Sequence, residues 1–384
     1  MENKMIYFDN SASSIPNPKA VDSAVTAMKC FANPSSPHFA GLKAKEIIED
    51  ARKKVADSLL CKPDEVYFTS SGTESNNIAI LSMVEKNKRE GNVIITTKAE
   101  HPSVVNTVLS LEKRGFRVEF APVAGGEVDY GFIENTLKTQ KVCLVTLMQA
   151  NNQNGALTDL KRIRNIIEET NSEALFHSDI VQGFLKVPDG MASYASAYCD
   201  AASFSAHKIG GLKGTGGLFI KKGLKLSPVF FGGGQEGGIR SGTENIVGIA
   251  AFGVAAEDFS KPFRDKITAL RKLFIGKATA LLGGDIEIKE PISHIDAVIS
   301  LSLKGIKSEV VLNYLSSKGI CISSSSACST KAKENTSLAA FGYSEEYNNS
   351  AIRIGFSPFN TEDEVETLIF ELKNSLAYRI KRNK

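Results

Sequence analysis

The stretch CDAASFSAHKIGGLKGTGG (residues 199–217) decides how the rest of the chain is read. From Asp200 to Ser205 it is a run of mostly small residues that suits the end of a buried strand. Ser205, His207 and Lys208 follow within four positions, and five glycines crowd residues 210–217. No ordinary helix tolerates that density, because glycine gives up the most backbone freedom on ordering. A lysine is most often a solvated surface charge. Lys208 instead stands between a strand end and a glycine-rich turn. A hydroxyl, an imidazole and backbone N–H groups able to bind an anion lie beside it. An amine in that company can hold a phosphorylated aldehyde as a Schiff base. The cofactor this suggests is pyridoxal 5'-phosphate (PLP).

Outward from this stretch, strands and helices alternate. The pattern predicts strands over 65–69, 92–97, 117–121, 174–177, 218–221 and 228–231. Residues 141–147 form an almost continuous apolar strand, which fits a sheet covered on both faces. Helices are expected after Pro18, over 44–60, from about 74, over 101–113 and over 158–170. Such alternation argues for a doubly wound α/β sheet. From about residue 258 a long helix over 262–282 leads into strands near 297–303 and 353–356, with helices near 308–317 and 361–380. The expected architecture is therefore a large domain (15–257) with a mostly parallel sheet. A smaller α+β domain is built from 1–14 and 258–384.

The totals exclude several classes. A chain of 384 residues with 42% hydrophobic content has ample length for a buried core. A net charge of +3 does not argue for nucleic acid. Neither a signal peptide nor an apolar run long enough to span a bilayer is visible, so a cytoplasmic protein without a membrane partner is expected. The six cysteines lack C-x-x-C spacing and the five histidines lack paired spacing, so free thiols and no metal are expected.

Each remaining motif has a plain structural reading beside a functional one. FTSSGTESNN (68–77) is a strand, a small polar turn and a helix start. Its helix N-terminus could bind phosphate, with Thr73 adding a hydroxyl, or Ser71 or Thr73 could simply cap the helix. His101, in EHPS (100–103), could stack on a ring or move protons, but a lone histidine is more often structural. Asp179, in FHSDIVQGF (176–184), sits at a strand's carboxyl end, where open α/β sheets bind ligands. There it could hold a pyridine nitrogen protonated; its plain reading is a helix cap. Gln182 could bond the ring hydroxyl. MQANNQNG (148–155) is accounted for by turn chemistry alone. GGGQEGGIRSGTEN (232–245) is glycine-rich but lacks the Gly-Lys-Ser/Thr of a nucleotide loop. Cys328, in SSSSACSTK (323–331), is a candidate nucleophile, although most free cysteines are inert. Arg353 in AIRIGF (351–356) needs a partner among apolar neighbours, either a substrate carboxylate or a structural ion pair.

Taken together, the motifs resemble those of the cysteine desulfurases, PLP enzymes of the class V aminotransferase group with fold type I. The match runs nearly end to end and in order: YFDNSAS, NPSSPH, FTSSGTESNN, EHPS, ANNQNG, HSDIVQ, SFSAHK, GGGQEGGIRSGTEN, SSSSACS and IRIGFS. The resemblance implies that Lys208 carries PLP, Asp179 pairs with its ring nitrogen and His101 stacks on the ring. Asn152 and Gln182 would face the ring oxygen. Gly72, Thr73, Ser205 and His207 would hold the phosphate, with Thr243 reaching the phosphate of the neighbouring subunit in a homodimer. Arg353, helped by Asn33, would clamp the carboxylate of L-cysteine. Cys328 would take the sulfur as a persulfide, leaving alanine, and pass it to an acceptor protein of iron–sulfur assembly or thiolation. Lys208 or His101 would move the α-proton. Gln153, Asn154, Gly237 and Ser325 depart from the usual pattern without removing a catalytic group. The chain also ends soon after its last helix, which leaves the acceptor open.

Three other readings compete, one of them a non-catalytic interaction protein on a PLP fold, which predicts loss of Lys208, Asp179 or Cys328, and all three are present. A selenocysteine lyase or other PLP β-lyase would not need the thiol of Cys328. A hydrolase built on Cys328 and His101 would leave Lys208, Asp179 and both glycine-rich loops unexplained.

Overall fold

The computed structural model describes residues 5–188, 195–324 and 337–379. Its centre is a seven-stranded sheet. In chain order the strands are β1 (Val66–Thr69), β2 (Val93–Thr97), β3 (Arg117–Ala121), β4 (Val142–Thr146), β5 (Leu175–Asp179), β6 (Ala201–Ser205) and β7 (Gly216–Ile220). In space they run 1-7-6-5-4-2-3. Strands β3, β2, β4, β5 and β6 are mutually parallel, and β7 lies antiparallel between β6 and β1. Strands β2, β4, β6 and β7 are buried at every position. That follows from their continuous apolar and small sequences, since helices cover both faces.

The glycines of the opening stretch explain β7. A Cβ on Gly217 would lie 2.2 Å from the Phe204 ring, and one on Gly216 would lie 2.5 Å from the Ser71 backbone. Only glycine lets this strand turn back beside β6. The expected strand at 228–231 does not form. Among the described residues that segment makes only an isolated bridge, Phe230 to Arg240. With Gly232, Gly233 and Gly234 following, it has no run of side chains to pack into a ladder.

Helices α1 (Pro18–Ala27), α2 (Phe39–Leu59) and α5 (Ile246–Asp258) pack together on one face. Gly253 of α5 permits the approach, because a Cβ there would meet Ala51 Cα at 2.6 Å. Helix α3 (Gly72–Asn87) covers the other face with α4 (Pro102–Glu112) beside it.

A second, four-stranded sheet contains β8 (Ile286–Ile288), β9 (Val298–Leu303), β10 (Ser323–Ser324) and β11 (Ala351–Gly355). It is antiparallel, in the order 8-9-11-10. Helix α6 (Lys261–Leu282) packs against α7 (Glu362–Ser375) beside it. The chain start joins this region: Ile6–Tyr7 pairs in parallel with Ile320–Cys321. The start then crosses toward the first sheet, where Ser14 N–H donates to His207 O at 2.8 Å.

Candidate active site

The carboxyl ends of β2, β4, β5 and β6 converge, and the residues that follow them line a cavity of about 380 Å³. Gly72, Thr73, His101, Asn152, Asp179, Gln182, Ser205, His207, Lys208 and Arg353 all line it. The fold thus brings together expected site residues as far apart in the chain as Gly72 and Arg353.

Lys208 ends a single turn (Ala206–Lys208) that follows β6. Gly210 completes the turn with φ 89°, a conformation costly for any residue with a Cβ. The Lys208 Nζ donates to the carbonyls of Ser11 at 2.7 Å and Ala12 at 2.8 Å. Burial, then the nearby Arg353 guanidinium, pushes its pKa down to about 8. Roughly a tenth of such an amine is neutral at pH 7, far more than of a free lysine, and the neutral form is the one that attacks an aldehyde.

Asp179 ends β5, and both of its carboxylate oxygens accept hydrogen bonds. Val181 N–H donates to Oδ1 at 2.9 Å, and Asn76 Nδ2 donates to Oδ2 at 2.7 Å. Asn76 also donates to Ser103 Oγ at 2.9 Å, and that hydroxyl lies 2.7 Å from His101 Nδ1. Desolvation, followed by the charge of Lys208, lowers the His101 pKa, and Asp179 opposes the shift. Just before it, Glu100 is 5% exposed and its carboxyl is raised to about 8, mainly by burial.

The first turn of α3 borders the cavity. Ser71 caps it by accepting from Glu74 N–H at 3.2 Å. The N–H groups before Glu74 remain available, as at any helix start. A Cβ on Gly72 would come within 2.6 Å of Val181 Cγ2, so this close approach needs glycine. His207 Nδ1 lies 3.3 Å from Ser13 Oγ, and burial lowers its pKa to about 4.

Arg353 on β11 enters from the second sheet. Its guanidinium donates to Asn152 O at 3.0 Å, to Asp9 Oδ1 at 3.0 Å and to Ser323 Oγ at 3.1 Å. The structural ion pair is therefore real, and its partner is Asp9. The Nε of Arg353 is nevertheless buried without a partner.

Other polar atoms on the wall share that state. Ser11 Oγ, Asn76 Oδ1, Gln182 Oε1 and Ser205 Oγ are all buried with no hydrogen bond. Each would cost about 1–3 kcal/mol if left so, and native proteins keep few such groups. Their clustering around one cavity fits a bound group rich in oxygen and charge. PLP, with a phosphate, a phenolic oxygen and a ring nitrogen, matches this donor and acceptor set.

Two expected site residues lie elsewhere. Asn33 is exposed and accepts from Ser35 N–H at 2.9 Å, and Thr243 is exposed on the second glycine-rich loop. Neither lines the cavity, but their loops share one hollow, which Pro34, Ser35, Gly233 and Glu244 border. Cys328 lies outside the described residues. Asp9, Ser11, Asn76 and Ser103 stand inside the motifs YFDNSAS, FTSSGTESNN and EHPS, but motif reading assigned them no role. Helical spacing could have found Asn76, which sits four positions after Gly72 and three after Thr73 on α3.

The family model for class-V aminotransferases matches residues 6–368. The chain belongs to the class-V aminotransferase family. Enzymes of this family depend on PLP, in keeping with the orphaned polar wall around Lys208. Among relatives of this class-V aminotransferase, a NifS/IcsS protein homolog of Lactobacillus delbrueckii subsp. bulgaricus is 38% identical over 376 residues, 95% of each chain. The cysteine desulfurase IscS 1 of Archaeoglobus fulgidus is 32% identical, again over 95% of both chains. A solved NifS-like protein superimposes with a TM-score of 0.89 at 32% identity, covering 97% of this chain and all of its own. The NifS-like protein of Rickettsia africae gives a TM-score of 0.84 at 30% identity, covering 97% of this chain and 99% of its own.

Among the described residues no group of histidine, cysteine and carboxylate side chains could hold a metal ion, and no helix is long and apolar enough to cross a membrane.

Proposed function

We propose that this protein is a PLP-dependent cysteine desulfurase, converting L-cysteine to L-alanine and transferring the sulfur to its own Cys328. One observation carries the reading: a lysine with its pKa lowered to about 8, an aspartate held by two hydrogen bonds and a buried arginine converge on one cavity whose wall holds unpartnered polar atoms. The relatives at 32–38% identity over 95% of the chain add to it. When bound, PLP supplies an electron sink for the charge left at the substrate's α-carbon.

The protein residues do the rest. Lys208 would hold the cofactor through its neutral amine and is the group placed to take the substrate's α-proton. Asp179 would face the ring nitrogen, its carboxylate pinned by two donors. Gly72, Thr73, Ser205 and His207 would take the phosphate, and Asn152 and Gln182 the ring oxygen. Arg353 offers its unpartnered Nε to the substrate carboxylate, while Asp9 fixes the plane of the guanidinium. The thiolate of Cys328 attacks the substrate sulfur. The carbon–sulfur bond breaks, a sulfur–sulfur bond forms, and the product side gains the hydrogen that makes alanine. The balance is cysteine plus thiol giving alanine plus persulfide.

The site is read as one half of a homodimer. Phe31, Phe39 and Phe231 are 94%, 86% and 86% exposed, on or next to the loops that carry Asn33 and Thr243. A second copy would cover them and bring Thr243 toward the partner's phosphate site. The large unit spans 15–257, and 1–14 with 258–384 form the small one. An acceptor protein of iron–sulfur assembly or thiolation would collect the persulfide in the cytoplasm.

The test is the visible absorption of the purified protein before and after L-cysteine, with alanine and sulfide assayed. We expect an absorption band that cysteine shifts, and alanine formation that Lys208→Ala abolishes. Cys328→Ala should keep the band and lose sulfide release. A protein that stays colourless after incubation with PLP would overturn the reading. Band and alanine persisting in full without Cys328 would favour a β-lyase that does not need the thiol.

A further inference from the structure

The hydrogen bonds from Asp179 to His101 form one directed chain. Asn76 is 1% exposed, so its amide has no water to turn to. Its orientation is fixed by chemistry, because a carboxylate paired as Asp179 is can only accept, so the amide nitrogen must face it. That nitrogen carries two hydrogens. One goes to Asp179 Oδ2 at 2.7 Å and the other to Ser103 Oγ at 2.9 Å. Ser103 Oγ thus accepts from Asn76 and keeps its own hydrogen to give. The acceptor within reach is His101 Nδ1, at 2.7 Å. A second donor reaches the same nitrogen: the backbone N–H of Ser103, at 3.2 Å, in the cap that starts α4. A backbone N–H can only donate, so a hydrogen on Nδ1 would face it directly.

We propose that Asn76 and Ser103 are positioning residues that fix His101 as the neutral tautomer with its hydrogen on Nε2. Nδ1 is then closed, held by two donors, and Nε2 makes no hydrogen bond among the described residues. The ring presents a donor to the cavity and not a base. His101 can lie against a bound ring or give a proton, but it cannot take one at Nε2 without first breaking the chain. The α-proton therefore falls to Lys208. Asn76 serves both ends: it steadies the carboxylate that would face the ring nitrogen and sets the imidazole that would stack on the ring. The tautomer follows from the protein alone; what it means for PLP rests on the reading of this cavity given above.

The charged groups that act on His101 are Asp179, which raises its pKa, and Lys208, which lowers it. Hydrogen bonds to the neutral form add to the lowering, so removing them moves the titration upward.

The experiment is a long-range proton–nitrogen spectrum of histidine-labelled protein, recorded with and without added PLP. The His101 signals are assigned by their loss in His101→Asn. We expect an unprotonated Nδ1 and a protonated Nε2 at neutral pH. In Ser103→Ala the two nitrogen shifts should move toward each other as tautomers mix, and the titration midpoint should rise by up to about one pH unit, the worth of one hydrogen bond. Asn76→Ala should do the same. Ser103→Thr keeps the hydroxyl and should restore the wild-type pattern, which a merely structural role does not require. Should Asn76→Ala fail to fold, the Ala and Thr variants of Ser103 decide alone. A wild-type ring protonated on Nδ1, or an unchanged spectrum in folded Ser103→Ala, overturns the proposal. The expected spectrum with no visible band on adding PLP supports the tautomer and overturns only the cofactor reading.

Discussion

Lys208 and Arg353 show how little of a residue's chemistry lies in its own side chain. An isolated lysine has almost no neutral form at neutral pH, whereas Lys208 has a sizeable neutral fraction, because burial brings its pKa down to about 8. Only the neutral amine attacks an aldehyde. The rate of PLP uptake by cofactor-free protein should therefore climb with pH, roughly tenfold per unit, and level off near pH 8 instead of continuing toward 10.5. Absorbance stopped-flow across that range checks it. Arg353 is held by Asp9, Ser323 and Asn152, so the guanidinium plane is fixed before substrate arrives. A lysine at this position keeps the charge but not the fork. Arg353→Lys should raise KM for cysteine by on the order of tenfold or more while the cofactor band is unchanged. Equal KM values for variant and wild type would remove Arg353 from the substrate clamp.

At the scale of elements, the carboxyl ends of the parallel strands line the cavity, and their interiors hold them in place. His177 lies two residues before Asp179 on β5. It bridges Thr146 Oγ1 of β4 at 2.8 Å and Ser203 Oγ of β6 at 3.0 Å. Burial pushes its pKa down to about 3. The folded protein thus keeps it neutral while the unfolded chain protonates it below about pH 6.5. The sign follows: the native state loses stability as pH falls below 6.5, down to about 3. Between about pH 7 and pH 5 this one group costs about 2 kcal/mol. His177→Gln should be less stable at neutral pH yet lose about that much less on acidification, as read from urea midpoints. The α3 start is a second such element. Gly72→Ala would put a methyl 2.6 Å from a stiff Val181 branch. It should weaken PLP binding by about tenfold, the equivalent of one or two hydrogen bonds, with a small change in Tm.

For the whole molecule, two sheets and the chain start close one cavity, and an apolar surface beside it stays open. The pairing of Ile6–Tyr7 with Ile320–Cys321 brings Asp9 to Arg353, and the following residues bring Ser11 and Ala12 to Lys208. The start of the chain is therefore part of the site. The open surface is apolar at Phe31, Phe39 and Phe231. Sedimentation should show a dimer that Phe31→Glu with Phe231→Glu shifts toward monomer. In the same preparations Thr243→Ala should weaken PLP binding in the dimer and leave any monomer's affinity unchanged. A double variant that sediments as the wild type would refute this face as the contact.

The sequence by itself determined which residues would meet. Alternating strands and helices place their connecting loops on one edge of a sheet, so Thr73, His101, Asp179 and Lys208 had to converge if the alternation held. The glycines of 210–217 forced a turn after β6, and the motif order named the chemistry. Boundaries shifted by a few residues, and 228–231 failed as a strand because apolar content does not make a strand without a neighbour to pair with. Gly237, a departure from the family pattern, has φ 59°, a backbone state that no composition reveals. Only the tertiary structure decided the partners. Asn76 reaches Asp179 across 103 positions, and Asp9 reaches Arg353 across 344. Hydrogen bonds are set by distances of about 3 Å, whereas sequence patterns fix elements only to within a few residues. For that reason the contacts of His101 Nδ1, the Asp9 partner of Arg353 and the exclusion of Asn33 from the cavity of a single chain were legible only once the chain was folded.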